Sequence, residues 1–185
     1  MPLSNEVRII GGNWKRRKLR FPDRVDLRPT LDRVRVTLFN WLNASVYDAC
    51  CLDLYAGSGA LGFEALSRGA REATLVERDP VAVRALEENR VRLGASNATI
   101  VRADALDWLA RCEQRFDIVF LDPPFASAEL SRALSTLRAR ALLASDAFVY
   151  AELGARKTMT FDGYTIAKES RAGETRFLLL RGDLV

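Results

Sequence analysis

The chain has 185 residues, enough for one domain with a substantial core, and a formal net charge of +4. It contains no histidine, which excludes Ser-His-Asp and Cys-His triads and the common histidine-containing zinc sites. No apolar run approaches the roughly 20 residues that span a bilayer, and residues 1–6 lack the basic and apolar regions of a signal peptide. We therefore expect a cytoplasmic protein without a membrane segment.

Three cysteines are present, Cys50, Cys51 and Cys112, an odd count with two of them adjacent. This pattern argues against a disulfide framework and fits a reducing compartment. We expect buried thiols and no metal site. The chemistry then has to depend on carboxylates and a cofactor.

Positive charge is concentrated in residues 1–35, which hold ten Lys and Arg residues against four acids. Within this stretch, Trp14 and Phe21 bracket the basic run 15–20. Clustered cations beside aromatic side chains are typical of a surface that binds nucleic-acid phosphates, although a solvated basic hairpin has the same pattern. We predict that residues 1–30 form a nucleic-acid-binding arm. The candidate contacts are Lys15, Arg16, Arg17, Lys18, Arg28 and Arg33.

The arm is predicted to be a short β-hairpin, because the stretches 7–10 and 18–21 flank the turn-forming residues Gly11-Gly12-Asn13. Thr30 is then placed to cap a helix that runs to about residue 44. No Gly/Ser-rich linker separates the arm from this helix.

From residue 51 onward, strand and helix patterns alternate, which predicts an α/β fold with a parallel sheet. The predicted strands are 51–55, 73–77, 98–101, 117–121 and 147–150. The predicted helices are 60–68, 80–93, 105–112 and 130–141. Asp79 and Pro80 provide an N-cap and a first helical residue, and Gly94 ends that helix. The stretches 164–167 and 176–180 have no helix-length spacer, so we expect them to pair as an antiparallel hairpin.

A glycine-rich loop, Gly57-Ser58-Gly59-Ala60-Leu61-Gly62, follows the first of these strands and opens a helix. In that setting a GxGxxG sequence lets a cofactor approach the backbone closely. Glu77 ends the second strand, 20 residues after Gly57, where it is placed to bind a ribose diol. These features fit NAD as well as S-adenosylmethionine.

Acids at or near four successive strand ends favour the second cofactor: Asp53, Glu77, Asp104 and Asp122. Strand ends line the ligand crevice of an open α/β sheet. Asp53 precedes the glycines, where it can meet a cationic amino group but would be an awkward neighbour for a pyrophosphate. An acidic crevice therefore suits a sulfonium amino acid joined to adenosine better than a dinucleotide. Singly, each acid is equally well read as a capping residue.

The segment Asp122-Pro123-Pro124-Phe125 directly follows the apolar run 118–121. Proline donates no N–H, which leaves carbonyl oxygens free as acceptors, and Asp122 adds an acceptor-only carboxylate. These acceptors can hold an exocyclic amine while Phe125 stacks on the ring. The segment predicts chemistry at a nucleobase amine, and the alternative is an ordinary proline-rich turn.

With these residues, the chain resembles the class I S-adenosylmethionine-dependent methyltransferases, and more narrowly the RsmD-like family of small-subunit ribosomal RNA guanine-N2 methyltransferases. The similarity covers almost the whole chain. It is carried by the Asp-Pro-Pro-Phe segment and by residues 8–12, 17–19, 27–30, 32–35, 37–42, 55–62 and 64–70. Val36 departs from the pattern, because family members carry a glutamate there.

The resemblance implies a Rossmann-like, seven-stranded, mostly parallel sheet with an antiparallel last strand, preceded by a β-hairpin that grips RNA. Residues 31–185 would be the catalytic domain. The resemblance also implies residue roles. The methionine part would be held by Asp53, Gly57, Ser58 and Gly59, the ribose by Glu77, and the adenine by Asp104 and Ala105. The target amine would be held by Asp122 and the Pro123 carbonyl, with Phe125 stacked on the base.

The predicted activity is methyl transfer to guanine N2 in small-subunit ribosomal RNA. The resemblance favours an assembled small-subunit particle as substrate, and a monomer is our default. Adenine-N6 methylation of DNA or RNA is an alternative, because the same segment serves that amine. Cytosine-C5 methylation is a weaker alternative, because it usually needs a thiolate nucleophile and none of the three cysteines lies in the Asp122 segment. A nicotinamide-dependent oxidoreductase and a catalytically silent RNA-binding module are further alternatives.

Overall fold

The structure, a computed structural model, describes residues 5–22, 32–124 and 128–182. The strands in these ranges are β1 (Asn5–Arg8), β2 (Lys18–Phe21), β3 (Cys50–Asp53), β4 (Glu72–Glu77), β5 (Ala98–Arg102), β6 (Phe116–Leu121), β7 (Leu143–Gly154), β8 (Tyr164–Ala172) and β9 (Thr175–Gly182). The α-helices are α1 (Asp32–Leu42), α2 (Ala60–Ser67), α3 (Pro80–Leu93), α4 (Ala105–Leu109) and α5 (Glu129–Ala139). A short 3-10 helix, Asn43–Val46, follows α1. Thr30, predicted to cap α1, lies outside the described residues.

The predicted N-terminal hairpin is confirmed: β1 and β2 pair antiparallel, from Asn5 opposite Phe21 to Arg8 opposite Lys18. Alternate residues point inward, so Val7, Leu19 and Phe21 are buried. The first strand lies two residues earlier than predicted. A longer connection, which includes Gly12 at φ 72°, joins the two strands.

Strands β3 to β9 form one sheet with the order β5-β4-β3-β6-β7-β9-β8. The first five strands in this order are parallel. Strand β9 is inserted between β7 and β8 and runs antiparallel to both. The predicted α/β fold, with a mostly parallel sheet and an antiparallel last strand, is confirmed.

Helix α3 shows how local sequence sets an element. The Asp79 side chain accepts hydrogen bonds from the backbone N–H groups of Val81 and Ala82, at 2.7 and 3.0 Å, and Pro80 begins the helix. Gly94 ends it in the left-handed conformation, φ 70°. The predicted bounds and both caps are confirmed.

The core has two halves, one on each face of the sheet. Helices α1, α2 and α3 and the hairpin cover one face, where Phe39, Phe63, Phe120 and Tyr150 are buried. Helices α4 and α5 cover the other face, around Phe116, Leu134 and Leu137 among others. This layering leaves the carboxyl ends of the parallel strands at one edge of the sheet, which is where an open α/β fold binds ligands.

Strand β7 is much longer than the predicted 147–150. It begins at Leu143, and Asp146 within it has φ 56°. The pairing with β6 shifts register between Phe116 and Ile118, which marks an irregularity. The exposed polar residues Ser145 and Asp146 hide the start of the strand from a hydrophobic pattern.

All three cysteines are buried and free. Burial, with the nearby Glu72 carboxylate, raises the pKa of the Cys50 thiol to about 12. Among the described residues, no helix combines the length and apolar character needed to cross a membrane.

Candidate active site

Four carboxylates lie along one edge of the sheet, as their positions in the sequence predicted. Asp53 ends β3, Glu77 ends β4, Asp104 lies just beyond β5, and Asp122 directly follows β6. These strands are neighbours in the order β5-β4-β3-β6, so the acids line one crevice. Within the described ranges, no group of three or more acids and cysteines is arranged to hold a metal ion.

The loop between β3 and α2 forms the floor of this crevice. Gly57 and Gly59 have φ of 50° and 76°, which favours glycine at both positions. A Cβ on Gly59 would also come within 2.7 Å of Phe63 and Leu86. Ser58 is buried between them. The loop therefore brings bare backbone to the crevice, beside the N-terminus of α2.

Glu77 holds this loop against its neighbouring strand. One carboxylate oxygen accepts a hydrogen bond from the Gly57 N–H at 2.9 Å, and the other accepts from the Asp79 N–H at 2.8 Å. A carboxylate offers about four lone-pair sites. Glu77 can therefore position the loop and still accept hydrogen bonds from a ribose diol.

Asp53 is the most buried of the four acids, with 3% of its surface exposed. Its Oδ2 accepts a hydrogen bond from the Gly62 N–H at 2.9 Å. Burial raises the pKa of Asp53 to about 7, although the Gly62 hydrogen bond opposes this and the nearby Glu77 adds to it. A cation brought into the crevice would favour the ionised form.

Asp104 has a capping role in this structure. Its Oδ1 accepts hydrogen bonds from the Leu106 and Asp107 N–H groups, at 3.0 and 3.2 Å, so it forms the N-cap of α4. Its side chain is exposed, and Ala105 beside it is buried. The predicted adenine contact of these two residues stays a prediction.

The predicted amine-binding segment begins at the end of β6. Asp122 is half-buried, Pro123 is buried and Pro124 is exposed. Phe125, the predicted stacking residue, lies outside the described residues. Asp122 approaches the Tyr150 hydroxyl of β7. The pKa of this phenol is raised well above its ordinary value by burial, then by Glu152, and further by Asp122.

Glu152 is a carboxylate at this edge that the sequence-based site does not include. It lies in β7, is only 6% exposed, and its Oε1 accepts a hydrogen bond from the Tyr150 hydroxyl at 2.5 Å. The same signal that selected the other four acids applies to it, because it stands near the end of the next parallel strand. It was missed because the predicted strand stopped at Tyr150.

The predicted nucleic-acid contacts divide into two groups. Lys15, Arg16 and Arg33 are exposed, and Arg33 approaches the β8–β9 turn at Gly173. Arg17 and Lys18 are exposed as well but have partners within the protein, and Arg17 donates to the carbonyls of Arg92 and Leu93 at the end of α3. Lys18 pairs with Glu6 at 2.5 Å. Arg28 lies outside the described residues. Val36 is exposed on α1.

Buried polar groups dock the arm on α2. Glu64, fully buried, accepts hydrogen bonds from the N–H groups of Ile10 and Gly11, at 2.7 and 2.8 Å. Its carboxylate also pairs with Arg68 at 2.7 Å and lies 3.7 Å from the buried Arg35. These contacts fix the position of the arm on α2, the helix that follows the crevice loop.

On α3, Asn89 provides a second attachment for the arm. Its side chain accepts a hydrogen bond from the Arg20 N–H at 3.0 Å and donates one to the Arg20 carbonyl at 2.8 Å. This two-way pairing matches the backbone bonding of a neighbouring strand. Both helices that follow the crevice strands β3 and β4 therefore hold the arm.

Comparison with known proteins identifies relatives over nearly the whole chain. The family model described as "Conserved hypothetical protein 95" matches residues 7–181. The chain is 43% identical to the ribosomal RNA small subunit methyltransferase D of Escherichia coli K12, over 97% of this chain and 92% of that protein. It is 41% identical to the protein of the same name from Haemophilus influenzae, over 94% and 93% of the two chains.

Among solved structures, yhhF from Escherichia coli matches with a TM-score of 0.88 and 41% identity, over 97% of this chain and 99% of that one. These matches agree with the sheet order and the N-terminal hairpin described above. The chain therefore belongs to the Conserved hypothetical protein 95 family, the RsmD-like methyltransferases that its sequence resembles, and it has their Rossmann-like class I fold.

Proposed function

We propose that this protein transfers a methyl group from S-adenosylmethionine to the exocyclic N2 amine of a guanine in small-subunit ribosomal RNA. One observation carries this proposal: the acid-lined crevice at the ends of β3 and β4 lies directly beside Asp122 and Pro123 at the end of β6. The relatives' shared name, ribosomal RNA small subunit methyltransferase D, supports the choice of substrate.

The residues of the crevice fit the proposed cofactor. The Gly57–Gly59 loop presents glycine backbone at positive φ beside the N-terminus of α2, and the buried Asp53 suits an ammonium group. Glu77 would accept hydrogen bonds from the ribose hydroxyls, and Asp104 with Ala105 would contact the adenine. When bound, S-adenosylmethionine supplies a methyl group on a positively charged sulfur.

At the other side of the crevice, Asp122 and the Pro123 carbonyl would align the amine. The lone pair of guanine N2 is delocalised into the ring, so the amine is a weak nucleophile. Two acceptors that hold its N–H groups turn the lone pair towards the methyl carbon, and alignment of this kind supplies much of the rate. The proton released from nitrogen passes to Asp122 or to water. Phe125 would stack on the base.

An unpaired or flipped nucleotide is needed, because the base has to leave its stack to reach the crevice. We propose an assembled small-subunit particle as the substrate and a monomeric enzyme that acts in the cytoplasm. The exposed Lys15 and Arg16 of the arm would bind the phosphates around the target.

A methyl-transfer assay tests this proposal directly. Protein and tritiated S-adenosylmethionine are incubated with ribosomal RNA, small-subunit assembly intermediates and DNA in parallel, and labelled nucleosides are identified after digestion. We expect N2-methylguanosine, with the highest yield from the particles. Detection of N6-methyladenosine instead would show that the target base is adenine. RNA binding without transfer to any substrate would support a silent binding module, and titration with NAD would detect an oxidoreductase.

A further inference from the structure

Two carboxylates stand side by side where the proposed amine would bind. Strands β6 and β7 are parallel, with Phe120 opposite Tyr150 and Leu121 opposite Ala151. Asp122 and Glu152 are therefore the next pair along the two strands. Paired residues of neighbouring strands point to the same face, and the face alternates along a strand. The side chains of both acids therefore lie on the same face of the sheet as the buried rings of Phe120 and Tyr150. The centroids of these two rings are 6.5 Å apart.

Tyr150 links the two acids. Its hydroxyl donates a hydrogen bond to Glu152 Oε1 at 2.5 Å. The charge of the nearby Asp122 carboxylate also raises the pKa of this hydroxyl. Tyr150 is fully buried and packs between Phe120 and Phe177. A rigid, buried phenol of this kind fixes the orientation of the Glu152 carboxylate. Glu152 is itself nearly buried, so the fold maintains a carboxyl group with a fixed orientation one strand away from Asp122.

The Watson–Crick edge of guanine matches two adjacent acceptors, because its N1–H and its N2 amine are neighbouring donors. Adenine has a lone pair at N1 beside its amine, which a second carboxylate would repel. On the basis of the proposed function, we propose that Glu152 is a specificity-determining residue that accepts the guanine N1–H while Asp122 holds the N2 amine. Asp122 then selects an amine, and Glu152 selects guanine.

The size of the expected discrimination follows from buried hydrogen bonding. A site built to bond a substrate N–H rejects an analogue that lacks it by about 10⁴-fold. 2-Aminopurine is a suitable analogue, because it keeps the N2 amine and has a lone pair at N1. We expect the wild-type protein to prefer guanine strongly over 2-aminopurine at the target position.

The test compares Glu152→Gln with the wild-type protein on small-subunit particles that carry guanine or 2-aminopurine at the mapped target nucleotide. A glutamine that keeps its carbonyl towards Tyr150 offers an N–H where the carboxylate offered an acceptor. We expect the ratio of kcat/KM for guanine to that for 2-aminopurine to fall about 100-fold or more, a fraction of the full discrimination. Glu169→Gln, which removes a carboxylate on β8 that pairs with Arg176, is the matched control and should leave the ratio unchanged.

Binding of S-adenosylhomocysteine, measured by calorimetry, checks that each variant keeps its fold. The specificity role would be overturned if the Glu152→Gln protein bound this ligand normally and its kcat/KM fell equally for guanine and 2-aminopurine. The proposed function would remain intact. Absence of N2-methylguanosine with the wild-type protein would overturn the proposed function itself. Tyr150→Phe should lower the guanine preference less than Glu152→Gln does, because it keeps the carboxylate and removes only its hydrogen-bond donor.

Discussion

The acids of the crevice differ in the hydrogen bonds that the fold already gives them. Glu77 accepts from the N–H groups of Gly57 and Asp79, and Asp104 accepts from two N–H groups of α4. Asp53 is buried and accepts from Gly62. Substitution of Glu77 or Asp104 would therefore disturb a loop or a helix start as well as a ligand contact. Asp53→Asn can keep the Gly62 bond through its amide oxygen, so this substitution removes the charge and leaves the hydrogen bond.

Asp122→Asn should reduce methyl transfer by at least about 10²-fold, within the range that removal of one transition-state contact costs. The amide loses the negative charge and one acceptor position, so it no longer orients the amine or takes its proton. Cofactor affinity should change only a few-fold, because the proposed contact of Asp122 is to the base. Single-turnover assays and calorimetry measure the two effects. A variant that transfers methyl groups at the wild-type rate would show that Asp122 takes no part in the reaction.

Asp53 should make the stability of the ligand-free protein fall as the pH rises. Its pKa is about 7 in the folded chain, against an ordinary value of 3.8. Between these values the folded chain binds a proton that the unfolded chain has released, so the free energy of unfolding decreases with pH in this window. The decrease is on the order of 4 kcal/mol. Asp53→Asn should abolish it.

Urea unfolding of both proteins at pH 5 and pH 8 measures the part of this decrease that falls above pH 5, about 3 kcal/mol. The substitution isolates Asp53 from all other titrating groups, since those are common to the two proteins. Parallel changes in stability with pH would show that Asp53 is ionised throughout. In the wild-type protein alone, cofactor binding should strengthen as the pH rises through about 7, because only the ionised carboxylate attracts a cation.

At the scale of elements, the arm is held by its buried apolar side chains, among them Ile9, Leu19 and Phe21, and also by polar groups of α2 and α3. Glu64 binds two backbone N–H groups of the arm and two arginines, and Asn89 pairs with the backbone of β2. Polar networks of this kind depend on every partner, since one lost group leaves others buried and unpaired. Single substitutions in this network should therefore weaken the docking of the arm on α2 and α3.

Glu64→Gln should destabilise the protein by on the order of 3 kcal/mol, because it removes the buried charge that pairs with Arg68 and lies near Arg35, and because the amide NH2 cannot accept one of the two N–H groups of the arm. It should also weaken RNA binding while the cofactor still binds. Glu87→Gln on α3 breaks an exposed pair with Arg90 and should cost less than about 1 kcal/mol. Urea midpoints compare the two variants. Equal midpoints would mean that the Glu64 network adds little to the docking of the arm.

For the whole molecule, the charge distribution separates a basic arm from an acidic crevice. Lys15→Ala combined with Arg16→Ala should weaken RNA binding and lower the slope of log K against log salt by about 0.7 for each lost phosphate contact. Arg111→Ala, at an exposed position just after α4 and so beyond the other face of the sheet from the arm, is the control. An unchanged slope would mean that Lys15 and Arg16 bind no phosphates and that the arm is a solvated basic hairpin. Arg17 is unsuitable for this test, because it caps α3.

Much of the molecule could be predicted where neighbouring residues decide the structure. Asp79, Pro80 and Gly94 set the bounds of α3, and the glycine loop and strand-end acids marked the crevice. Contacts between distant segments could not be predicted. Arg17 and Arg92 are 75 positions apart, and nothing near Arg17 indicates that it caps a helix. The division of the chain at residue 30 and the roles of the site residues stay predictions.

Glu152 lies between these two cases. Its residue type and position near a strand end were visible, but an irregular start concealed the true length of β7. Its closeness to Asp122 follows from the β6–β7 register, which no local pattern specifies. For the same reason, the proposed role of Glu152 in base specificity could not be predicted from the Asp-Pro-Pro-Phe segment alone.

The position of β9 affects how the protein is made. This strand comes last in the described sequence but lies inside the sheet, paired with β7 and β8. During synthesis, β7 and β8 have to wait with unpaired edges until residues 175–182 have emerged from the ribosome. Exposed edges of this kind invite pairing with other chains. The sheet can therefore close only late in translation, and a chain that stalls before β9 would be prone to aggregate.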